Sequence, residues 1–433
     1  MSDSKTYKIR LEHITRVEGH GSIRIDTKRG QVEEVRLEII EANRFFENFV
    51  KGMFPHEVVQ TVSRICGICC VGHQLAGLKA VEAALGLTVS DQTVRLRKLF
   101  NESQFLQSHT LHLFFLALPD FLGVPSILPL AQKEPELVKR ALALKKLAND
   151  YTTVFGGRAL HPMANTVNGW RRLPDLGQVE GIYQRLKGAV VEMERMLAIV
   201  KTLKVPDYER ETEYVSLTHP DEYALYDGVV KSSDNGETVP VQDYRRVTNE
   251  FTVAHSTSKW SRWHRDSYMV GALARVNNNF AQLHPRAREA AAELGFSFPC
   301  CNPYHNNSAQ MVELIHCLHN SLAGLEELLN RGLVEEEARY TPGAGRGCGA
   351  IEVPRGILFH EYGFGDDGRC LDANAIIPTS QNINNIEQDM KAFVPAMLPA
   401  MGQEELALHM EMLLRAYDPC ISCSVHMLDV RFV

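Results

Sequence analysis

Two stretches of this chain concentrate residues that bind metals. SRICGICCVGH (63–73) places Cys66, Cys69 and Cys70 within five positions, and DPCISCSVH (418–426) places Cys420 and Cys423 near the other end of the 433 residues. Each C-x-x-C sets two sulfurs on neighbouring positions of a turn or helix start, close enough to share one ion. A single such pair is equally a structural zinc half-site, a redox dithiol or two buried thiols. Two pairs favour one four-thiolate site, for which structural zinc is the generic reading. Their separation argues for something else. Zinc ribbons keep their pairs within a few tens of residues of a small domain, whereas these pairs come from opposite ends of a long chain, so whatever they hold lies at its centre.

The other cysteines, Cys70, Cys300, Cys301, Cys317, Cys348 and Cys370, show no repeated spacing. The chain therefore carries no set of its own for an iron–sulfur cluster. Cys70 reads as a small buried apolar residue rather than a ligand.

The elements that must position these residues are mostly helical. Apolar residues recur at helical spacing over 178–203 (Ile182, Leu186, Ala189, Val190, Met193, Met196, Leu197, Val200) and over 308–330 (Met311, Leu314, Ile315, Leu318, Leu322, Leu325, Leu329). Further helices are predicted from about Phe54 through RICGICC, over 92–118, over 134–154 with a stop at Gly156 and Gly157, near 285–295, and over 402–416. Alternation of apolar and polar residues over about 5–41 predicts a small antiparallel sheet with a turn at TKRG. Residues 205–258 read as strands and loops, and 341–356 as loop. No repeat or linker divides the chain. The expectation is one α+β, mainly α domain over 1–426, a long helix bundle core with peripheral antiparallel β-sheets, followed by a tail, 427–433.

Hydrophobic content of 45%, charged content of 23% and a net charge of -7 are ordinary for a soluble protein, and argue against nucleic acid or an anionic membrane as partner. No apolar run approaches the roughly 18 to 20 residues of a membrane span. The polar start MSDSKTYKIRLEH lacks a secretory core, so the expected location is cytoplasmic, unless a partner carries the signal.

Six motifs in order give the chain a family resemblance. RICGICCVGH resembles the pattern R-x-C-G-x-C-x-x-x-H of the large subunit of nickel–iron hydrogenases, and DPCISCSVH resembles its D-P-C-x-x-C-x-x-H. RVEGHG (16–21), SHTLHLFFLALPD (108–120), GGRALHP (156–162) and EVPRG with PTSQN (352–356, 378–382) match between them. The resemblance spans nearly the whole chain and implies that family's fold. It implies that Cys66, Cys69, Cys420 and Cys423 hold nickel, with Cys69 and Cys423 bridging to an iron that carries carbon monoxide and cyanide. Dihydrogen is split heterolytically there, and soft thiolates suit both metals.

The resemblance also assigns roles to neighbours. Glu18 is the base that passes protons outward, against the bland alternative of a salt bridge with Arg16. Arg355 is a guanidinium near the diatomic ligands, with Asp120 and Asp418 as its charge partners. Pro354, Pro378 and Thr379 surround the cyanides, although Val353 stands where the family more often has Ala. Glu47, the carbonyl of Ala375 and His426 match the ligands of a magnesium (or iron) ion, and His73 is a hydrogen-bonding neighbour of Cys69. The family often loses a C-terminal extension by proteolysis after nickel insertion, with a maturation protease and nickel chaperones as partners. Here either processing is absent or residues 427–433 are the unprocessed extension.

NPYHNNSAQMVELIHCLH and RGILFHEYGFGDDGR resemble the soluble multisubunit hydrogenases coupled to NAD(P), deazaflavin, ferredoxin or disulfide reduction. Electrons would leave through iron–sulfur clusters of a separate small subunit, with flavin-containing diaphorase-type subunits as further partners. Three rivals remain: the related quinone-reductase subunit of respiratory complex I, which lacks the nickel cysteines; a dihydrogen sensor; and a zinc-stabilised scaffold.

Overall fold

The computed structural model describes residues 6–425, so His426 and the tail 427–433 lie outside the described residues. Helices dominate. Asp91–Leu111 packs against Pro135–Gly156 and against Asn306–Arg331, which packs in turn on Leu176–Val200. The Leu176–Val200 helix begins where the Asp175 carboxylate accepts the Gln178 N–H at 2.9 Å. It buries the stripe expected of it from Ile182 to Val200, apart from a half-buried Val190. Asp91–Leu111 runs on through a π-helical turn, His112–Ala117, into Leu118–Phe121, which delivers Asp120.

Three sheets of three or more strands surround and penetrate the bundle. Lys8–Leu11, Gly21–Lys28 and Gln31–Ile39 form the expected N-terminal antiparallel sheet, extended by Ser256–Trp260, parallel to Gln31–Ile39, and by Phe251–Val253. Tyr268–Met269, Glu213–Thr218, Val229–Ser232 and Thr238–Val239 form a second, four-stranded sheet in that order, its first pair parallel. The third is the antiparallel meander Gly345–Val353, Gly356–Phe364, Cys370–Ile376.

Three local expectations change. RICGICC is not helical. One helix, Pro55–Val62, ends before it and another, Cys70–Ala84, starts only at its last residue, leaving Cys66 and Cys69 in the connection with Cys69 as N-cap. Residues 345–353, expected as loop, are a strand. Its alternate glycines face the Cys70–Ala84 helix so closely that a Cβ at Gly345, Gly347 or Gly349 would meet helix backbone at 1.9, 2.2 and 2.5 Å. Glycine is there to let two backbones touch. Finally, PTSQNINNIEQDM lies in a helix, Pro378–Met397, that the sequence did not signal. Ser380, Gln381, Asn382, Asn384, Asn385, Glu387 and Asp389 are buried beside Ile383, Ile386, Met390, Phe393 and Val394, so the buried face is far wider than its apolar stripe. The polar residues bond to other segments: Gln381 Nε2 to the Ile357 carbonyl at 2.7 Å, Asn382 Nδ2 to that of Val270 at 3.0 Å.

Candidate metal centre

The Cys66–Cys69 connection is shaped by its own backbone. The Cys66 sulfur accepts the N–H groups of Ile68 (3.2 Å) and Cys69 (3.3 Å), which curls the loop around it. The second pair arrives on a single helical turn, Ile421–Ser424, bound to the N-terminal segment: the Ile421 N–H donates to the Glu18 carbonyl at 2.8 Å. Together the sulfurs of Cys66, Cys69, Cys420 and Cys423 all lie within 4.8 Å of one another, and all four residues are buried. Cys66 and Cys420 approach to 3.5 Å, and the Cys420 and Cys423 sulfurs are in direct contact. Among the described residues no other group of three or more His, Cys, Asp or Glu converges in this way.

The surroundings favour a thiolate at Cys66 and a thiol at Cys69, whose hydrogen bond to Cys66 and burial push it well above the usual range. A hydrogen bond from Cys69, helped by the charge of Arg355, lowers the Cys66 thiol to about 7. Arg355 Nη1 reaches the Cys69 sulfur at 3.0 Å, its Nη2 the Asp418 carboxylate at 2.8 Å, and its Nε the Asp418 carbonyl at 2.6 Å. Asp418 adopts a positive φ of 51° to present both oxygens, and Gln310 Nε2 holds the carboxylate from behind at 3.2 Å. Four soft donors backed by a fixed cation are a donor set for a soft or borderline transition metal, such as nickel.

Glu18 lies on the opposite side. Its Oε2 accepts from the Cys420 sulfur at 3.1 Å and from the Ser422 N–H at 3.1 Å. It makes no ion pair with Arg16, whose guanidinium instead meets Asp120 and the Leu116 carbonyl. Thr379 Oγ1 accepts the Cys420 N–H at 2.9 Å, which leaves its own proton free to donate into the site. Pro378 starts the helix behind it.

Not every expected partnership forms. Asp120 is not paired with Arg355; Arg16 and Arg415 hold it, the latter at 2.7 Å, so its charge is neutralised one layer away from the sulfurs. His73 does bond Cys69, its N–H donating to the Cys69 carbonyl at 3.0 Å, while its ring bonds His360 at 3.1 Å and His360 bonds the Tyr362 hydroxyl at 2.5 Å. Cys70 faces away, toward the Ala159 carbonyl, and burial pushes its thiol up to about 11. Glu47 and Ala375 do come together, but through the Ala375 N–H, which donates to Glu47 at 2.8 Å; the third expected ligand, His426, lies outside the described residues. Residues that the sequence did not single out also belong here: Arg415, Gln310 and Arg275. The last donates to the carbonyl of Pro354 at 2.9 Å. Nothing in their spacing marks them.

Comparison with known proteins bears on this geometry. A family model described as nickel-dependent hydrogenase matches residues 44–141 and 187–426, and one described as HoxL-like matches residues 8–42. The chain is 32% identical over 420 residues to sulfhydrogenase 1 subunit alpha of Pyrococcus furiosus, covering 96% of this chain and 97% of that one. It is 26% identical over 469 residues to the NAD-reducing hydrogenase HoxS subunit beta of Cupriavidus necator, covering 97% and 95%. Among solved structures, an NAD+-reducing [NiFe]-hydrogenase in the H2-reduced state superposes with a TM-score of 0.89 at 29% identity, over 97% of this chain and 100% of the other. A nickel–iron–selenium hydrogenase of Desulfomicrobium baculatum shares the fold, with a TM-score of 0.79 at 21% identity over 97% of this chain and 100% of that one.

Proposed function

We infer the chemistry of this chain from one premise: it belongs to the nickel-dependent hydrogenase family, as a large subunit. It is the catalytic subunit of a [NiFe] hydrogenase, an H2 oxidoreductase. When bound, a nickel–iron centre with carbon monoxide and cyanide ligands supplies the redox chemistry that splits dihydrogen and collects its electrons. Four converging buried sulfurs, with Glu18 on one and Arg355 on another, carry the assignment of that centre to Cys66, Cys69, Cys420 and Cys423.

The other residues then take roles from where they stand. Glu18 receives the proton at the Cys420 sulfur and hands it outward, being the carboxylate in hydrogen-bond reach of that atom. Arg355, locked by Asp418, presents a fixed cation to the face of the site at Cys69 and excludes water there. Thr379 and Pro378 line the cyanide side with Pro354, and the free Thr379 proton suits an anionic acceptor. Asp120 supports this layer through Arg16 and Arg415 rather than through Arg355. His73 braces the Cys69 end of the loop. Glu47, Ala375 and His426 are the candidate magnesium ligands.

Residues 1–426 work as one unit on this reading, supported by a hydrophobic core that runs from Ile9 to Val425, with 427–433 as a maturation extension for a protease and nickel chaperones. Electrons pass to an iron–sulfur small subunit and on to NAD(P), ferredoxin or another soluble acceptor, with diaphorase-type subunits as further partners. The alpha and beta subunit names of its relatives support a multisubunit complex. Among the described residues no helix is long and apolar enough to cross a membrane, and we place the complex in the cytoplasm.

Infrared absorption of the purified complex in the carbonyl and cyanide stretching region, with metal analysis, tests the reading. Bands there with nickel near one per chain are expected. Zinc without nickel and no such bands would overturn it in favour of the scaffold.

A further inference from the structure

The hairpin from Gly345–Val353 to Gly356–Phe364 turns through only Pro354 and Arg355, with Val353 facing Gly356 across it. Arg355 thus projects from the tip of a two-residue turn, and a side chain there points where the turn's backbone sends it. One buried group holds that backbone. Arg275 Nη1 donates to the Val353 carbonyl at 2.9 Å and its Nη2 to the Pro354 carbonyl at 2.9 Å. The remaining N–H groups go to Glu313 (Nε 2.6 Å, Nη2 2.7 Å) and Glu352 (Nη1 2.9 Å), so all five donors of the guanidinium are used.

The holder is itself held. Glu313 takes further bonds from the Tyr223 hydroxyl at 2.6 Å and from His109 at 2.7 Å, and Glu352 takes the Leu217 N–H at 2.7 Å. The ring of Phe105 lies 5.0 Å from the guanidinium. The helix Ala272–Asn279, which carries Arg275, starts against the tip: a Cβ on Gly356 would stand 2.4 Å from Val270 Cγ2 and 3.0 Å from the Gly271 nitrogen. Desolvating one arginine and two glutamates is costly, and a well-packed apolar replacement for such a cluster is often neutral or stabilising. Stability alone is a poor reason to keep it.

We propose that Arg275 is a positioning residue for Arg355, fixing the tip of the hairpin so that the Arg355 guanidinium spans the Cys69 sulfur and Asp418. Arg275 touches none of the four cysteines; it acts through Arg355, and the inference rests on the functional reading above. Lysine cannot replace it, because one ammonium point cannot serve two successive carbonyls and a carboxylate fork in one plane.

The test compares Arg275→Lys, Arg355→Lys, the double variant and Glu313→Gln in the complete hydrogenase complex, each at normal nickel content. In Arg275→Lys we expect displaced carbonyl and cyanide bands and a kcat lower by about 10- to 100-fold, with KM for dihydrogen little changed. Glu313→Gln, a milder change, displaces the bands in the same direction. The double variant is no slower than Arg355→Lys alone, because both losses pass through one side chain. Unmoved bands in both Arg275→Lys and Glu313→Gln, or a double variant whose loss is the product of the single losses, overturn the proposal. Absence of the bands from the unsubstituted complex overturns the functional reading itself, and this one with it.

Discussion

Glu18 has two contacts at one oxygen, the sulfur of Cys420 and the N–H of Ser422, and they do different things. The amide keeps the carboxyl in place; on the proposed reading the sulfur is where a proton arrives. Glu18→Gln keeps an oxygen for the amide and removes the ability to carry a proton. Turnover is expected to fall by about 10²- to 10⁴-fold while nickel content and infrared bands stay as they were, measured side by side on one preparation. Loss of nickel would mean that Glu18 builds the site rather than serving it. Residues of this kind divide by how much their neighbours decide. Cys66, Cys69, Cys420 and Cys423 were legible in the sequence because cysteine is scarce and the spacing is local. Asp120 was legible as a residue but not in its partner, since Arg16 and Arg415 reach it from 104 and 295 positions away. Arg275 was invisible, because five hydrogen bonds to four distant residues leave no trace in the sequence around it.

At the scale of elements, the strand Gly345–Val353 and the helix Cys70–Ala84 form a joint whose one end reaches the metal centre through both elements. The strand's far end leads into Pro354 and Arg355, and the helix starts one residue after Cys69. The glycines read as loop because glycine-rich stretches usually are; what they mark here is a strand lying directly on helix backbone. Gly347→Ala would put a methyl group 2.2 Å from the Ala84 nitrogen and 2.5 Å from the Ala80 carbonyl oxygen, none of which can bend aside. A loss of about 3 kcal/mol or more in denaturant unfolding is expected, together with lower nickel occupancy as the helix shifts. Gly343→Ala, with nothing within 4 Å of its Cβ, is the matched control and leaves both unchanged. The long apolar helices were readable by period. The Pro378–Met397 helix was not, because buried polar residues interleave with its apolar ones and only the segments they bond make that part of the face an interior.

The whole molecule buries many charged groups, and raised carboxyls among them, Glu102 and Glu352, make its stability depend on pH. Burial pushes Glu102 up to about 7 from 4.5, partly offset by bonds from Ser321 and Asn320, with Lys98 and Glu222 close by. A carboxyl raised in the folded state favours folding most below its unfolded pKa, and that advantage is lost as pH climbs through the folded value. From about pH 5 to about pH 8 the chain should therefore lose up to about 3 kcal/mol through this residue. Glu102→Gln removes that dependence: its denaturation midpoint relative to the parent chain should rise between these pH values. A difference that stays flat with pH would show that Glu102 is already ionised in the folded protein.

The two sulfur pairs are separated by 354 positions, from Cys66 to Cys420. During synthesis the first pair leaves the ribosome early and waits through most of translation with half a binding site. A product released prematurely can never close that site, however well its bundle packs. The centre therefore acts as a check on translation through Cys423, and an ion held by all four sulfurs requires that the two distant clamps have been brought together.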